Sequence, residues 1–295
     1  MASGKSIAAA VREIGRGADM DSIGAAAALF AGQHEAEPYQ GVEVVRDIAY
    51  GPHERHGLDV FRAADRSGGP RPVFLFVHGG GFFGGEKRRA GSPYYDNVML
   101  WAVRNGMTGV NITYRLAPDH LWPAGSDDVA AAVDWTRAHI GEHGGDPDRL
   151  FVAGTSAGAV HVAGFVAGPQ YGAEDKVRGA ILLSCLFDMT TSEPNSMKEA
   201  YFGTDGSKYA ERSTLKGLVG TTVPVLVTLA EQDPADFERQ TLQYVNAFWD
   251  AHGRWPDVVR VMGHNHFTTA WHINTADDRL ARTLLDFVHA HGGAA

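Results

Sequence analysis

Short apolar runs recur along this chain, and most are followed by a stretch with helical spacing. That alternation constrains the fold more than any other feature. Residues 73–77 are continuously apolar, as expected of a strand buried on both faces. Comparable strand-like runs lie at 109–114, 150–153, 180–186, 223–229 and 258–261. Helical patterns fall near 96–105, 125–140, 235–252 and 276–291. Residues 42–48 and 57–61, separated by Gly51-Pro52, read as a hairpin leading into the sheet. Strands alternating with helices predict an α/β fold, with a mostly parallel central sheet flanked by helices on both faces.

Residues 1–40 carry no strand signal. Ile7, Val11 and Ile14 fall at helical spacing, and a second helix is expected from about residue 22 to residue 31. The segment reads as a lid or a helical arm. Residues 188–217 are polar and irregular, an insertion between two strands that is a candidate cap element. The net charge of −9 argues against nucleic acid or an anionic membrane as a partner. Lys5 is followed by too short an apolar stretch for a signal peptide, and no run approaches the roughly 20 apolar residues of a membrane span. Cys185, the single cysteine, lies in an apolar run and reads as a buried small hydrophobe. These features lead us to expect a cytoplasmic protein.

Gly154-Thr155-Ser156-Ala157-Gly158 matches G-x-S-x-G, a common pentapeptide in a glycine-rich chain. Its context is more specific. A strand-like run ends at Gly154, and a helix-compatible run begins after Ser156, so the glycines permit a sharp turn that lifts the serine oxygen above the sheet. Ser156 is therefore the expected nucleophile.

His78-Gly79-Gly80-Gly81-Phe82-Phe83-Gly84-Gly85 follows the 73–77 strand. Acyl transfer places negative charge on a carbonyl oxygen, and pre-positioned backbone N–H groups stabilise it. Gly80, Gly81 and Ala157 are the candidate oxyanion donors. The same loop also spells G-x-G-x-x-G, a dinucleotide-binding pattern. However, residues 86–93 do not open like a helix, and the strand ending near Tyr114-Arg115-Leu116 lacks the acidic residue that would bind a ribose. His78 reads as a structural histidine that hydrogen-bonds the loop.

A serine nucleophile needs an imidazole base and a carboxylate to orient it, which in this architecture follow in the order Ser, acid, His. Asp233 lies just past the 223–229 strand and is the expected acid. Asp236 is the alternative, Glu231 lies nearer the strand, and a helix-cap role suits either aspartate. His264 and His266 both fall in the loop after the last strand.

Taken together, His78-Gly79-Gly80-Gly81, Tyr114-Arg115-Leu116-Ala117-Pro118, Trp122-Pro123-Ala124 with Asp127-Asp128, the elbow at 154–158 and Glu231-Gln232-Asp233-Pro234 resemble the hormone-sensitive-lipase-like branch of the α/β hydrolases over roughly residues 40–290. The resemblance implies an α/β-hydrolase fold and a metal-free, cofactor-free carboxylic-ester hydrolase working through an acyl-serine. It also implies an N-terminal helical cap, which suits residues 1–40 and leaves 41–295 as the catalytic domain, and often a homodimer. One departure concerns the histidine: His266-Phe267 is similar to arylformamidase-like esterases. That favours His266 as base, with His264 and His272 as loop or cap residues, and makes an N-formyl amide the alternative substrate. A non-catalytic ligand-binding protein on a hydrolase scaffold is a further alternative. Phe82, Phe83, Trp122, Tyr201, Phe202 and Trp271 are candidate linings of an apolar pocket for small to medium hydrophobic esters.

Overall fold

Alternating side-chain direction along each strand sends residues to the two faces of one sheet in the computed structural model, which describes residues 6–293. The strands are β1 (Val42–Ala49), β2 (Gly57–Ala63), β3 (Arg71–Val77), β4 (Thr108–Ile112), β5 (Gly145–Thr155), β6 (Gly179–Leu183), β7 (Val225–Gln232) and β8 (Asp257–Asn265). They lie in the order β1-β2-β4-β3-β5-β6-β7-β8. β1 and β2 form the expected hairpin, β2 pairs antiparallel with β4, and the remaining pairs are parallel.

The helices are α1 (Ile7–Ile14), α2 (Met20–Ala31), α3 (Asp96–Arg104), α4 (Ala124–His139), α5 (Ala157–Ala167), α6 (Ser196–Phe202), α7 (Leu215–Gly220), α8 (Ala235–His252), α9 (Thr268–Trp271) and α10 (Arg279–His291). Val73, Leu75 and Val77 join one core with Val129 and Val133 of α4 and Val162 and Phe165 of α5. Phe74 and Phe76, one residue out of phase, join the other core with Val98 and Met99 of α3 and Leu284 of α10. This period of two, buried on both sides, is what helices on both faces require. Cys185, just past β6, has no exposed surface, and burial raises its thiol pKa well above the ordinary value.

The N-terminal segment forms the two expected helices, although Lys5 and the rest of residues 1–5 lie outside the described residues. Ser6 and Asp19 cap α1 and α2 by accepting hydrogen bonds from the backbone N–H groups of Ala9 and Ser22. Val11 and Phe30 anchor the pair in the second core. Arg12 makes two hydrogen bonds to the Glu231 carboxylate, at 2.7 and 2.9 Å. Glu231 also accepts from the Gly263 N–H at 2.6 Å. α1 is thus tied to the ends of both β7 and β8.

Residues 188–217 are more ordered than their composition suggests. They contain α6 and the start of α7. Asn195 caps α6, and the buried Tyr201 and Phe202 anchor it. Two adjacent aromatics show no helical period, so the element was not visible as a pattern. No helix among the described residues is long and apolar enough to cross a membrane.

At the antiparallel edge, Asp59 is fully buried and accepts from Arg46 at 2.9 Å, Lys87 at 2.7 Å and the Asp47 N–H at 2.8 Å. Arg46 also reaches Asp96 at 2.6 Å. A polar cleft of about 570 Å³ opens beside this network, and two ion pairs line it, Arg55 with Glu86 and Lys87 with Asp47.

Candidate active site

β5 ends at Thr155 and α5 begins at Ala157, so Ser156 occupies the junction alone. Its backbone is strained, with φ 54° and ψ −121°. A non-glycine residue holds such a conformation only where its surroundings enforce it. The crossing is tight: a Cβ on Gly158 would come within 2.3 Å of the Val77 carbonyl oxygen. The Ser156 N–H is held by the Leu183 carbonyl at 2.9 Å.

Three loops at the carboxyl ends of parallel strands meet here. His266, just past β8, places Nε2 2.8 Å from Ser156 Oγ and Nδ1 2.7 Å from Asp233 Oδ1. Because Asp233 can only accept as a carboxylate, the proton sits on Nδ1 and the Nε2 lone pair faces the serine hydroxyl. Asp233 follows β7 and is completely buried. Its Oδ2 accepts from Ser184 Oγ at 2.7 Å and from the Ala230 N–H at 2.6 Å. A buried carboxylate holding three donors is compensated in place. His266 is itself almost buried, with the Phe237 ring 4.6 Å away.

The other acid and base candidates have different partners. Asp236 sits in the first turn of α8 and accepts from Ser192 Oγ and the Glu193 N–H. Glu231 binds Arg12 and Gly263. His264 contacts Thr268 and Asp277. Among the described residues, one group of metal-ligand type side chains comes together, His264, His272 and Asp277, and it lies outside the Ser156–His266–Asp233 chain.

The glycine loop runs past the nucleophile, since a Cβ on Gly79 would sit 3.3 Å from Ser156 Cβ. Gly80 and Gly81 both have positive φ, 143° and 63°. Ala157, as the first residue of α5, has an N–H with no acceptor inside the helix. The residues after Gly85 form turns, and the next helix starts only at Asp96, unlike a dinucleotide-binding loop. His78 is fully buried, with Nδ1 2.6 Å from the Gly79 carbonyl. Burial pushes its pKa down to about 3, so it is a neutral brace for the loop.

Of the expected pocket residues, Phe82, Tyr201 and Phe202 pack together. Phe82 stacks on Tyr201 at 4.8 Å and meets Phe202 edge-on at 5.6 Å. Trp122 is joined to them through its backbone N–H, which donates to the Tyr201 carbonyl, and the Arg212 guanidinium lies over its ring. Phe83 is half exposed. Trp271 belongs to the second core, stacked on Tyr94 and Phe267. Two residues were not singled out from the sequence. Ser184 supports Asp233, and its only signal was a polar residue near the end of an apolar strand. Met197 of α6 lies over the loop, so that a Cβ on Gly81 would come within 2.5 Å of its Sδ.

Comparison with known proteins agrees with this architecture. Esterase LipC of Mycobacterium tuberculosis is 38% identical over 132 residues, covering 44% of this chain and 32% of that protein. Carboxylesterase NlhH of the same organism is 44% identical over 88 residues, 30% of this chain and 26% of its own. The chain thus spans about a third or less of the length of these curated relatives. A bacterial heroin esterase structure is 25% identical with a TM-score of 0.71, covering 98% of this chain and 97% of that one. The family model described as alpha/beta hydrolase fold matches residues 74–269, from β3 to the loop that carries His266, and the chain belongs to that family.

Proposed function

We propose that this protein is a serine carboxylic-ester hydrolase acting on small to medium hydrophobic esters. The observation that carries this reading is the unbroken hydrogen-bond chain from Ser156 through His266 to Asp233, at 2.8 and 2.7 Å. Ser156 Oγ attacks the ester carbonyl while His266 Nε2 accepts its proton. Asp233 orients the ring through Nδ1–H and stabilises the imidazolium that forms. The amides of Gly80, Gly81 and Ala157 hold the oxyanion; loss of one such donor costs roughly 3–4 kcal/mol in measured cases. His266 then protonates the leaving alcohol, and water repeats the sequence on the acyl-serine.

The esterase names of the relatives support an ester over the formamide alternative. Half-exposed Phe83 and the nearby Met197 supply apolar surface beside the glycine loop. We assign α1 and α2 to an N-terminal cap, residues 188–217 to a second cap element and the rest to the catalytic domain. The fully buried single cysteine and the net charge of −9 suit a cytoplasmic enzyme without nucleic-acid or membrane partners. A homodimer is part of the same reading and is checked by sedimentation.

The decisive experiment is turnover of a p-nitrophenyl acyl series beside a formanilide, with mass spectrometry after a fluorophosphonate trap. Short or medium esters should turn over faster than the formanilide, and the adduct should map to Ser156. Inertness toward every ester, or an adduct elsewhere, rejects the assignment.

A further inference from the structure

A second group of chemically capable side chains lies behind the His266 loop. His264 and His272 bracket that loop, and their rings stack with centroids 3.8 Å apart and planes 26° apart. Both are buried, and Phe30 of α2 lies 5.9 and 6.3 Å from the two rings. His272 donates Nδ1–H to the Thr268 carbonyl at 2.7 Å. A carbonyl only accepts, so the lone pair is on Nε2, and that buried nitrogen has no hydrogen-bond partner. His264 Nδ1 lies 3.2 Å from Thr268 Oγ1, while its Nε2 lies 3.3 Å from Asp277 Oδ2. Arg279 also contacts the Asp277 carboxylate. One donor atom from each of His264, His272 and Asp277 lies within 4.8 Å of the others.

We propose that His264, His272 and Asp277 form a binding site for a divalent transition-metal ion of the zinc class. Two imidazole nitrogens and one carboxylate oxygen suit a borderline cation, and three protein ligands leave a fourth position for water. The orphaned Nε2 of His272 is the strongest argument, because a buried acceptor of this kind calls for a partner. Its Nδ1–H bond to a main-chain carbonyl is the contact that orients and fixes the tautomer of a ligating histidine. The protonation states agree with the geometry. Burial pushes His272 down to about 3 and lowers His264 as well, so both rings are neutral. The Arg279 contact holds Asp277 well below the usual carboxylate range. Zinc bonds of about 2.0–2.1 Å space tetrahedral ligands by about 3.3 Å, so donors that lie within 4.8 Å of one another close by no more than about 1.5 Å on binding.

The ion takes no part in acyl transfer. It joins the end of β8 to the segment between α9 and α10, and so stiffens the stretch that carries His266. The inference is independent of the esterase reading.

The test uses the full chain, stripped by chelator and titrated with zinc chloride by calorimetry, with thermal melting in parallel. The expected result is one ion per chain and a higher Tm with zinc. Asp277→Asn and His272→Gln should each weaken binding at least about tenfold. Asp277 is partly exposed, so its variant keeps the test open if His272→Gln fails to fold. Absence of saturable binding, or equal affinity in wild type and Asp277→Asn, overturns the proposal.

Discussion

Two buried polar clusters occupy opposite parts of the same sheet, and they differ in how they end. At the antiparallel edge, Asp59 is enclosed by Arg46, Lys87 and the Asp47 amide, and every charge is cancelled by a neighbour. At the carboxyl ends of β5, β7 and β8, Asp233 is equally buried and holds three donors, but the chain leads outward through His266 to Ser156, which is only partly buried. Burial of charge is common to both. What sets the second apart is an open end, on a strained residue, with an unspent lone pair behind it. A closed network holds the fold, whereas an open one can move a proton.

That contrast can be broken from either side. The largest effect is expected from Ser156→Ala. It removes the open end and should lower kcat for p-nitrophenyl esters about 10⁴- to 10⁶-fold, with an unchanged urea midpoint. Asp233→Asn should cost about 10⁴-fold in kcat, because an amide no longer fixes the His266 tautomer; a loss under tenfold would sink its proposed role. Asp59→Ala tests the closed network. It leaves Arg46 to Asp96 and Lys87 to the more exposed Asp47, and should lower unfolding free energy by about 3 kcal/mol in urea titrations, while kcat per folded molecule stays constant. Ser184→Ala removes one donor from Asp233 and should reduce kcat about tenfold with little change in KM. A KM effect instead would make Ser184 a pocket residue.

The smallest effect concerns the α1 attachment. Hydrogen bonding to Arg12, then to the Gly263 N–H, lowers the Glu231 carboxyl to about 2. A depressed carboxylate stabilises the fold fully above its unfolded value of about 4.3, and that contribution is lost as pH falls toward 2. The Tm gap between wild type and Glu231→Gln should therefore be constant from pH 5 to 7 and shrink below about pH 4.5. A gap that is undiminished at pH 3 would mean the carboxylate charge is not what holds α1.

The strands and most helices were legible because burial on both faces leaves continuous apolar runs, and helices between them keep their period. The elbow was legible because glycine is demanded at fixed positions around Ser156. The acid and base were narrowed to Asp233 or Asp236 and His264 or His266 by their place after strands. The turn just past the strand favoured Asp233 and the resemblance at His266-Phe267 favoured His266, and these are the two that lie within hydrogen-bond distance of each other, with His266 also reaching Ser156. Ser184 left only a polar residue near the end of an apolar strand, and the Arg46–Asp59–Lys87–Asp96 network left no trace, because its members are far apart in sequence and meet only when the sheet closes. α6 escaped notice because two adjacent aromatics, rather than a spaced stripe, hold it down.

The burial of Cys185 has a practical consequence for watching this molecule move. The folded chain offers no accessible thiol of its own. A cysteine introduced at Met20, which opens α2, or at Met197 on α6, both exposed, would be the sole reactive sulfur. A fluorophore or spin label attached there would report on one helix alone, with no native residue to remove first.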